Sequence, residues 1–232
     1  MDAIAHQPVY KVPTAALVQQ LLHSPDLPMY VRQFQSLLQA EREKRERFYE
    51  EMSEQQKVEF INGEVVVQTP AKLCHTIASK NLLMLLDAYV QQHGLGFVGH
   101  EKMLVTLTRN DYEPDTCYFG SEKARAFTPD QIKFPAPDFV VEVLSPTTEA
   151  NDRGVKFVDY GAHGVAEYWI VDPDAEMIEQ YLWEGEAYHL HVKTDTGTVR
   201  SAAVAGFAVP VRAVFDETEK LAAVREILAA KT

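Results

Sequence analysis

Hydrophobic residues recur along this chain in two rhythms, one helical and one extended, and their succession predicts the order of its elements. Residues 14–23 (TAALVQQLLH) and 29–56 carry helical spacing, the second segment running into the charge-dense EREKRERFYEEMSEQQK. Acids and bases alternate through that run, which reads as a solvated helix face. Short apolar runs at 58–61 and 65–69 flank Asn62-Gly63, the dipeptide a two-residue hairpin turn demands. Thr69-Pro70 resembles a helix cap followed by proline at the first helical position. The segment 71–93 behind it sets Leu83, Leu86 and Val90 at helical spacing before Gly94 and Gly96 stop it.

Three strand candidates follow, 97–108, 113–119 and 138–144, with a polar, proline-bearing surface excursion at 120–137 between the last two. Ser145-Pro146 closes the third strand and opens a helix over 149–162, with Val155, Val158 and Ala162 on its buried side. EYWIV at 167–171 is a further strand ended by Asp172-Pro173. Residues 177–183 and 187–192 flank Glu184-Gly185-Glu186 as a second hairpin, and a final helix covers 217–230. The order helix, three strands, helix, strand predicts an α/β domain over 57–232 with an added β-hairpin, preceded by an N-terminal helical extension over 1–56.

Composition narrows this picture. A chain of 232 residues, 46% of them hydrophobic, supports one core with additions. The lack of any run of about 18 apolar residues, and of a secretory-signal pattern, leads us to expect a cytoplasmic protein without a membrane partner. The two cysteines, Cys74 and Cys117, lack the clustered spacing zinc needs and read as small buried apolar residues. A formal net charge of -12 would repel a polyanion on average. A nucleic-acid partner would therefore need a local basic face, a divalent metal or a second subunit, and the sequence shows the means only for the metal.

Strand parity then locates candidate chemistry. In DFVVEVL, Asp138, Val140, Glu142 and Leu144 share one face, and Phe139, Val141 and Val143 share the other. Glu142 thus sits in a strand otherwise apolar on both sides, where an ionised carboxylate is costly unless it binds a cation or a base. Asp115, in EPDTCYF, poses the same question. Two acids on neighbouring strands suit a hard divalent cation that keeps waters and a phosphate oxygen; either alone could equally cap a strand or pair with an arginine. Lys156 lies one helix beyond Glu142, on a turn shared with Asp152, Arg153 and Tyr160. Its amine could orient a water or neutralise a phosphate, or simply face solvent.

The succession INGEVV, a histidine in a helix, PD in a strand, PDFVVEVLSP, a lysine ahead of DY, and GVAEYWIVDP resembles the Uma-two family of restriction endonucleases, a branch of the PD-(D/E)xK superfamily. The resemblance runs from about Phe60 to Leu190 and implies a restriction-endonuclease-like core. It carries the motif acids onto Asp115 and Glu142. Leu144 stands where the superfamily has lysine, and the resemblance moves that function to Lys156. Glu64 and His75 also match recurrent positions. Glu64 either completes the acidic site or is a hairpin residue, whereas a lone histidine near a helix start, such as His75, is more often structural. Asp138 is expected to lie outside the site.

The resemblance implies an endonuclease that hydrolyses phosphodiester bonds, in DNA, with Mg²⁺ or Mn²⁺ held by Asp115, Glu142 and the Val143 carbonyl and a nucleophile positioned by Lys156. A homodimer joined through the N-terminal helices is expected by analogy. Two alternatives stay open at this point. One is a nuclease-like protein that binds a partner without cutting, motivated by the acidic balance and Leu144; the other is a hydrolase of small phosphate esters.

Overall fold

The computed structural model describes residues 15–53 and 56–230. Helices α1 (Ala15–Leu22) and α2 (Leu27–Glu51) lead. Strands β1 (Val58–Ile61) and β2 (Glu64–Val67) form the first hairpin, turning on Asn62 (φ 51°) and Gly63 (φ 84°) as a two-residue turn with positive φ at both positions requires. Next come α3 (Leu73–His93), β3 (Gly96–His100), β4 (Leu104–Thr106), β5 (Asp111–Tyr112) and β6 (Thr116–Gly120). The excursion holds α4 (Ser121–Ala124) and β7 (Lys133–Phe134). Then follow β8 (Phe139–Val143), α5 (Glu149–Asp152), α6 (Val155–Ala162), β9 (Glu167–Asp172), β10 (Met177–Trp183) and β11 (Tyr188–Thr194). The chain closes with β12 (Thr198–Arg200), β13 (Ala208–Pro210), α7 (Val211–Phe215) and α8 (Glu217–Ala229).

A six-stranded sheet runs β11-β10-β9-β8-β6-β3, with β8 and β9 parallel and the remaining pairs antiparallel. A second sheet runs β2-β1-β5-β4-β7. Phe139, Val141 and Val143 face a core completed by Leu82 and Leu86 of α3 and Val214 of α7. Val140 and Leu144 face the other way, into a core shared with Ile61 of the second sheet and Tyr160 of α6. That alternation is the one the strand parity predicts, and it directs Glu142 into the space between the two sheets.

Three elements differ from the sequence-based expectation. The expected strand 97–108 is two strands in different sheets, because Glu101 adopts a left-handed φ of 46° and turns the chain between them. The expected helix 149–162 breaks at Gly154, where a Cβ would lie 2.5 Å from the Ala150 carbonyl oxygen. Helix α2 stops at Glu51, short of the expected end at 56; residues 54 and 55, like residue 14 of the first expected helix, lie outside the described residues. Cys117 is buried as expected, but Cys74 is only half-buried, its Sγ 3.7 Å from Asp174 Oδ1 near the surface. Among the described residues no helix is long and apolar enough to cross a membrane.

The charge run of α2 is more than a solvated face. Arg45 forks onto both oxygens of the fully buried Asp111, at 2.6 and 2.8 Å, and its guanidinium also donates to the carbonyls of Leu107, Thr108 and Asn110. Tyr49 donates to the same carboxylate, and Phe48 packs on Val58, Phe60 and Leu104. Bidentate pairing of this kind ties α2 to the second sheet through charge-assisted bonds. Arg45→Ala leaves Asp111 buried without its cation and is expected to lower unfolding stability by about 3 kcal/mol. Lys193→Ala removes an ion pair whose lysine is 51% exposed and should change stability by less than about 1 kcal/mol. Urea denaturation of both variants beside the wild type checks the contrast.

Candidate active site

Register sets the first two acids side by side. Thr116 of β6 pairs with Val141 of β8, so the next positions toward the strand mouth, Asp115 and Glu142, are neighbours across the sheet. The Asp115 amide lies 3.4 Å from Glu142 Oε2, and Asp115 Oδ2 accepts the Val143 amide at 2.8 Å. A residue's N–H and C=O leave a strand on the same side, so the Val143 carbonyl is directed toward Asp115 as well.

Lys156 arrives from α6, beyond the break at Gly154. Its Nζ lies 2.9 Å from Glu59, 3.1 Å from Glu142 and 3.0 Å from Asp152, with the lysine side chain only 1% exposed. The Asp152 contact satisfies an ion pair but not a directed hydrogen bond. Tyr160, one turn further along α6, donates to Glu142 Oε1 at 3.1 Å. Lys57, just ahead of β1, reaches Asp115 Oδ1 at 2.7 Å, and His75 in the first turn of α3 sets Nε2 3.4 Å from Asp115 Oδ2.

Asp115, Glu142, Lys156 and His75 are thus brought together. Glu64 is not: its side chain is 75% exposed at the hairpin turn, where it pairs with Lys44 of α2 at 2.6 Å. The turn carries it past the end of β1, away from the cluster, so the acid contributed by this hairpin is Glu59. Asp138 lies at the opposite end of β8, accepting from the Gly120 amide and paired with Lys123. Leu144, in the position where a lysine is usual, packs in the apolar core.

Sequence reading passed over Glu59 and Lys57 and gave Asp152 no role. The signal for Glu59 was present, since VEFI is an acid within an apolar strand just as VVEV is. Asp152 lies four residues ahead of Lys156, a spacing visible in the sequence, whereas Lys57 had no such signal because its partner Asp115 comes from a distant part of the chain.

Four carboxylates, Glu59, Asp115, Glu142 and Asp152, face two ammonium groups, Lys57 and Lys156, an excess of two negative charges when all are ionised. The electrostatics follow from this surplus. Burial, reinforced by Asp152, Asp115 and Glu59, raises Glu142 to about 8 in spite of Lys156. Burial also raises Asp152, and it brings Glu113, which accepts the Val58 amide, to about 7. Asp115 goes the other way: burial opposes its ionisation, but Lys57 and His75 outweigh it and hold the carboxyl well below its usual range. Lys156 is held protonated, since Asp152, Glu142 and Glu59 overcome its desolvation.

The cluster opens into a cleft of about 370 Å³, rimmed by the hydroxyl-bearing residues Thr69, Ser145 and Thr148. Among the described residues no three or more His, Cys, Asp or Glu form a ready metal cage. The donor chemistry fits instead a hydrated cation of the magnesium type, which takes one or two carboxylates and keeps its waters. Asp115 and Glu142 are two such carboxylates side by side.

A carboxyl raised on folding binds protons that the unfolded chain has lost, so it removes stability as pH rises from its unfolded value to its folded one. For Glu142 that window runs from the ordinary carboxylate range to about 8, and Glu113 and Asp152 add to it with the same sign. Asp115 acts oppositely, stabilising above its ordinary value and losing that contribution in strong acid. The thermal midpoint of the metal-free wild type should therefore fall from about pH 6 to about pH 8, across the Glu142 titration. Glu142→Gln should show a shallower fall in the same differential-scanning series; equal slopes would show that Glu142 does not carry the surplus.

Comparison with known proteins identifies the family and the fold. A family model described as "Putative restriction endonuclease", Uma2, matches residues 42–212. Two proteins of Synechocystis sp. are similar: uncharacterized protein slr1290, 30% identical over 69% of this chain and 79% of its own length, and uncharacterized protein sll1609, 27% identical over 56% and 75%. A crystal structure described as "a putative nuclease belonging to DUF820", from Anabaena variabilis, superposes with a TM-score of 0.59 at 17% identity, over 70% of this chain and 90% of that one, and so shares its fold. The family match begins within α2, whose Arg45 holds Asp111, and ends within α7, so it takes in every residue of the acidic cluster. The chain accordingly belongs to the Uma2 family of restriction-endonuclease-like proteins.

Proposed function

We propose that this protein is a metal-dependent endonuclease that hydrolyses phosphodiester bonds in DNA. The observation that carries the reading is the pair Asp115 and Glu142, adjacent across β6 and β8, with the Lys156 amine 3.1 Å from Glu142 in a cleft. Asp115, Glu142 and the Val143 carbonyl would hold Mg²⁺ or Mn²⁺. Such an ion supplies charge neutralisation at the scissile phosphate and acidity to a water.

The chain's own groups do the rest. Lys156 holds Glu142 in place and favours its ionised form, and Tyr160 fixes the same oxygen, so the carboxylate is positioned before substrate arrives. Glu59 and Asp152 keep the Lys156 amine charged and stationary. The cluster thus replaces a lysine at position 144 with one delivered from the neighbouring helix. His75 and Lys57 set the orientation of Asp115. The acidic net charge restricts phosphate contacts to the cleft and its cation, and salt dependence scales with the number of such contacts, so cleavage should weaken only shallowly with added salt.

Cutting both strands calls for two sites, and a homodimer through α1 and α2 would supply them. Leu27, Tyr30, Phe34 and Leu37 recur at spacings of three and four along α2, and Phe34 and Leu37 are 52% and 51% exposed. The run that follows alternates in sign and is complementary to a second copy of itself. Sedimentation at micromolar concentration should give a dimer for the wild type and a monomer for Phe34→Glu; a monomeric wild type would remove the dimer.

Wild-type protein should nick supercoiled plasmid with Mg²⁺ or Mn²⁺ and stop on EDTA addition. Asp115→Ala and Glu142→Ala should each lose at least about 100-fold in rate, the usual scale for removing a charge-stabilising group. Folding of both variants is checked by circular dichroism, and cutting at the wild-type rate by both would overturn the assignment.

A further inference from the structure

Lys57 stands apart from the rest of the cluster. Lys156 is shared among three carboxylates, but among the described residues Lys57 pairs with one carboxylate, Asp115 Oδ1 at 2.7 Å, and its side chain remains 18% exposed at the edge of the cleft. The other Asp115 oxygen is already engaged by the Val143 amide at 2.8 Å and faces His75 at 3.4 Å. Oδ1 is therefore the oxygen left to a cation, and an ammonium holds it.

Two cations on one carboxylate oxygen repel each other, so a divalent ion and the Lys57 ammonium compete for the same place. Lysine suits such an exchange because its charge sits on a flexible four-carbon stem. An amine displaced from Asp115 stays tethered just ahead of β1, beside the cleft into which Asp115 and Glu142 open. An anionic phosphate in that cleft would give it a new partner.

We propose that Lys57 is a resident counter-ion of the site: its ammonium neutralises Asp115 until a divalent cation displaces it, and the freed amine then pairs with the substrate phosphate. The proposal rests on the divalent-cation reading of Asp115 and Glu142 given above. It makes Lys57 a cationic residue of the reaction distinct from Lys156, whose amine stays within its three carboxylates.

The test is calorimetric titration of Mn²⁺ into the full chain without substrate, comparing wild type with Lys57→Met. Lys57→Gln accompanies it, because it keeps a donor for Asp115 without the charge and guards against a folding defect in the first variant. Both variants should bind Mn²⁺ roughly tenfold more tightly than the wild type, the equivalent of about 1.4 kcal/mol, while cleaving plasmid more slowly at saturating Mn²⁺. In the wild type, Mn²⁺ should raise acylation of the Lys57 amine several-fold, read by peptide mass spectrometry, and leave Lys156 unlabelled. Mn²⁺ binding by the wild type that is unchanged or weaker in both variants, with Lys57 labelling constant, overturns the counter-ion role and leaves the metal site standing. No saturable Mn²⁺ binding by any of the three folded proteins overturns the metal reading itself and the proposal with it.

Discussion

The Lys156 amine, buried among Glu59 of β1, Glu142 of β8 and Asp152 of α5, is the interaction on which the arrangement of this protein depends. An ammonium so deeply buried is tolerable only when its contacts are close and nearly complete, and losing one partner leaves an uncompensated charge worth several kcal/mol. Each of the three acids belongs to a different element. The second sheet, the six-stranded sheet and the broken helix α5–α6 are therefore held in one relative position by a single side chain.

Geometry around that contact is reinforced by backbone rather than by more charge. The break at Gly154 lets α5 present Asp152 and α6 present Lys156 from adjacent turns, because the close approach to the Ala150 carbonyl leaves no room for a side chain. The β6–β8 register sets Asp115 beside Glu142, and the Val143 amide fixes one Asp115 oxygen. On the far side of the second sheet, Arg45 performs for Asp111 what Lys156 does for the site acids, compensating a buried carboxylate and fastening α2 over Val58 and Phe60. The strand carrying Glu59 is thereby clamped from both faces.

The same cluster is poorly balanced as an electrostatic unit. Two lysines cannot neutralise four carboxylates, and the imbalance appears as a raised Glu142 next to a lowered Asp115. Adjacent acids pushed in opposite directions are a common mark of a site built for chemistry rather than for stability. A structural role alone would be served better by apolar residues of similar volume. The cost of keeping the surplus buried is what the proposed divalent cation would relieve.

Periodicity in the sequence was sufficient for the core: helix α3, strands β6, β8 and β9, and both hairpins follow from local spacing and turn residues, because their apolar stripes and positive-φ turns are local properties. Parity in DFVVEVL likewise assigned Glu142 to one face of its strand, where a charge needs a partner, and the likeness in the motifs drew Asp115, Lys156 and His75 together. Tertiary structure decided between the acids of the first hairpin, Glu59 rather than Glu64, and it alone brought Lys57 to the site. It also split 97–108 between two sheets and turned part of a charged helix face into the anchor for Asp111. The physical reason is the same in each case: hydrophobic period is written into consecutive residues, whereas the partner of a buried charge is chosen by proximity in space, here across separations of up to 97 positions between Glu59 and Lys156.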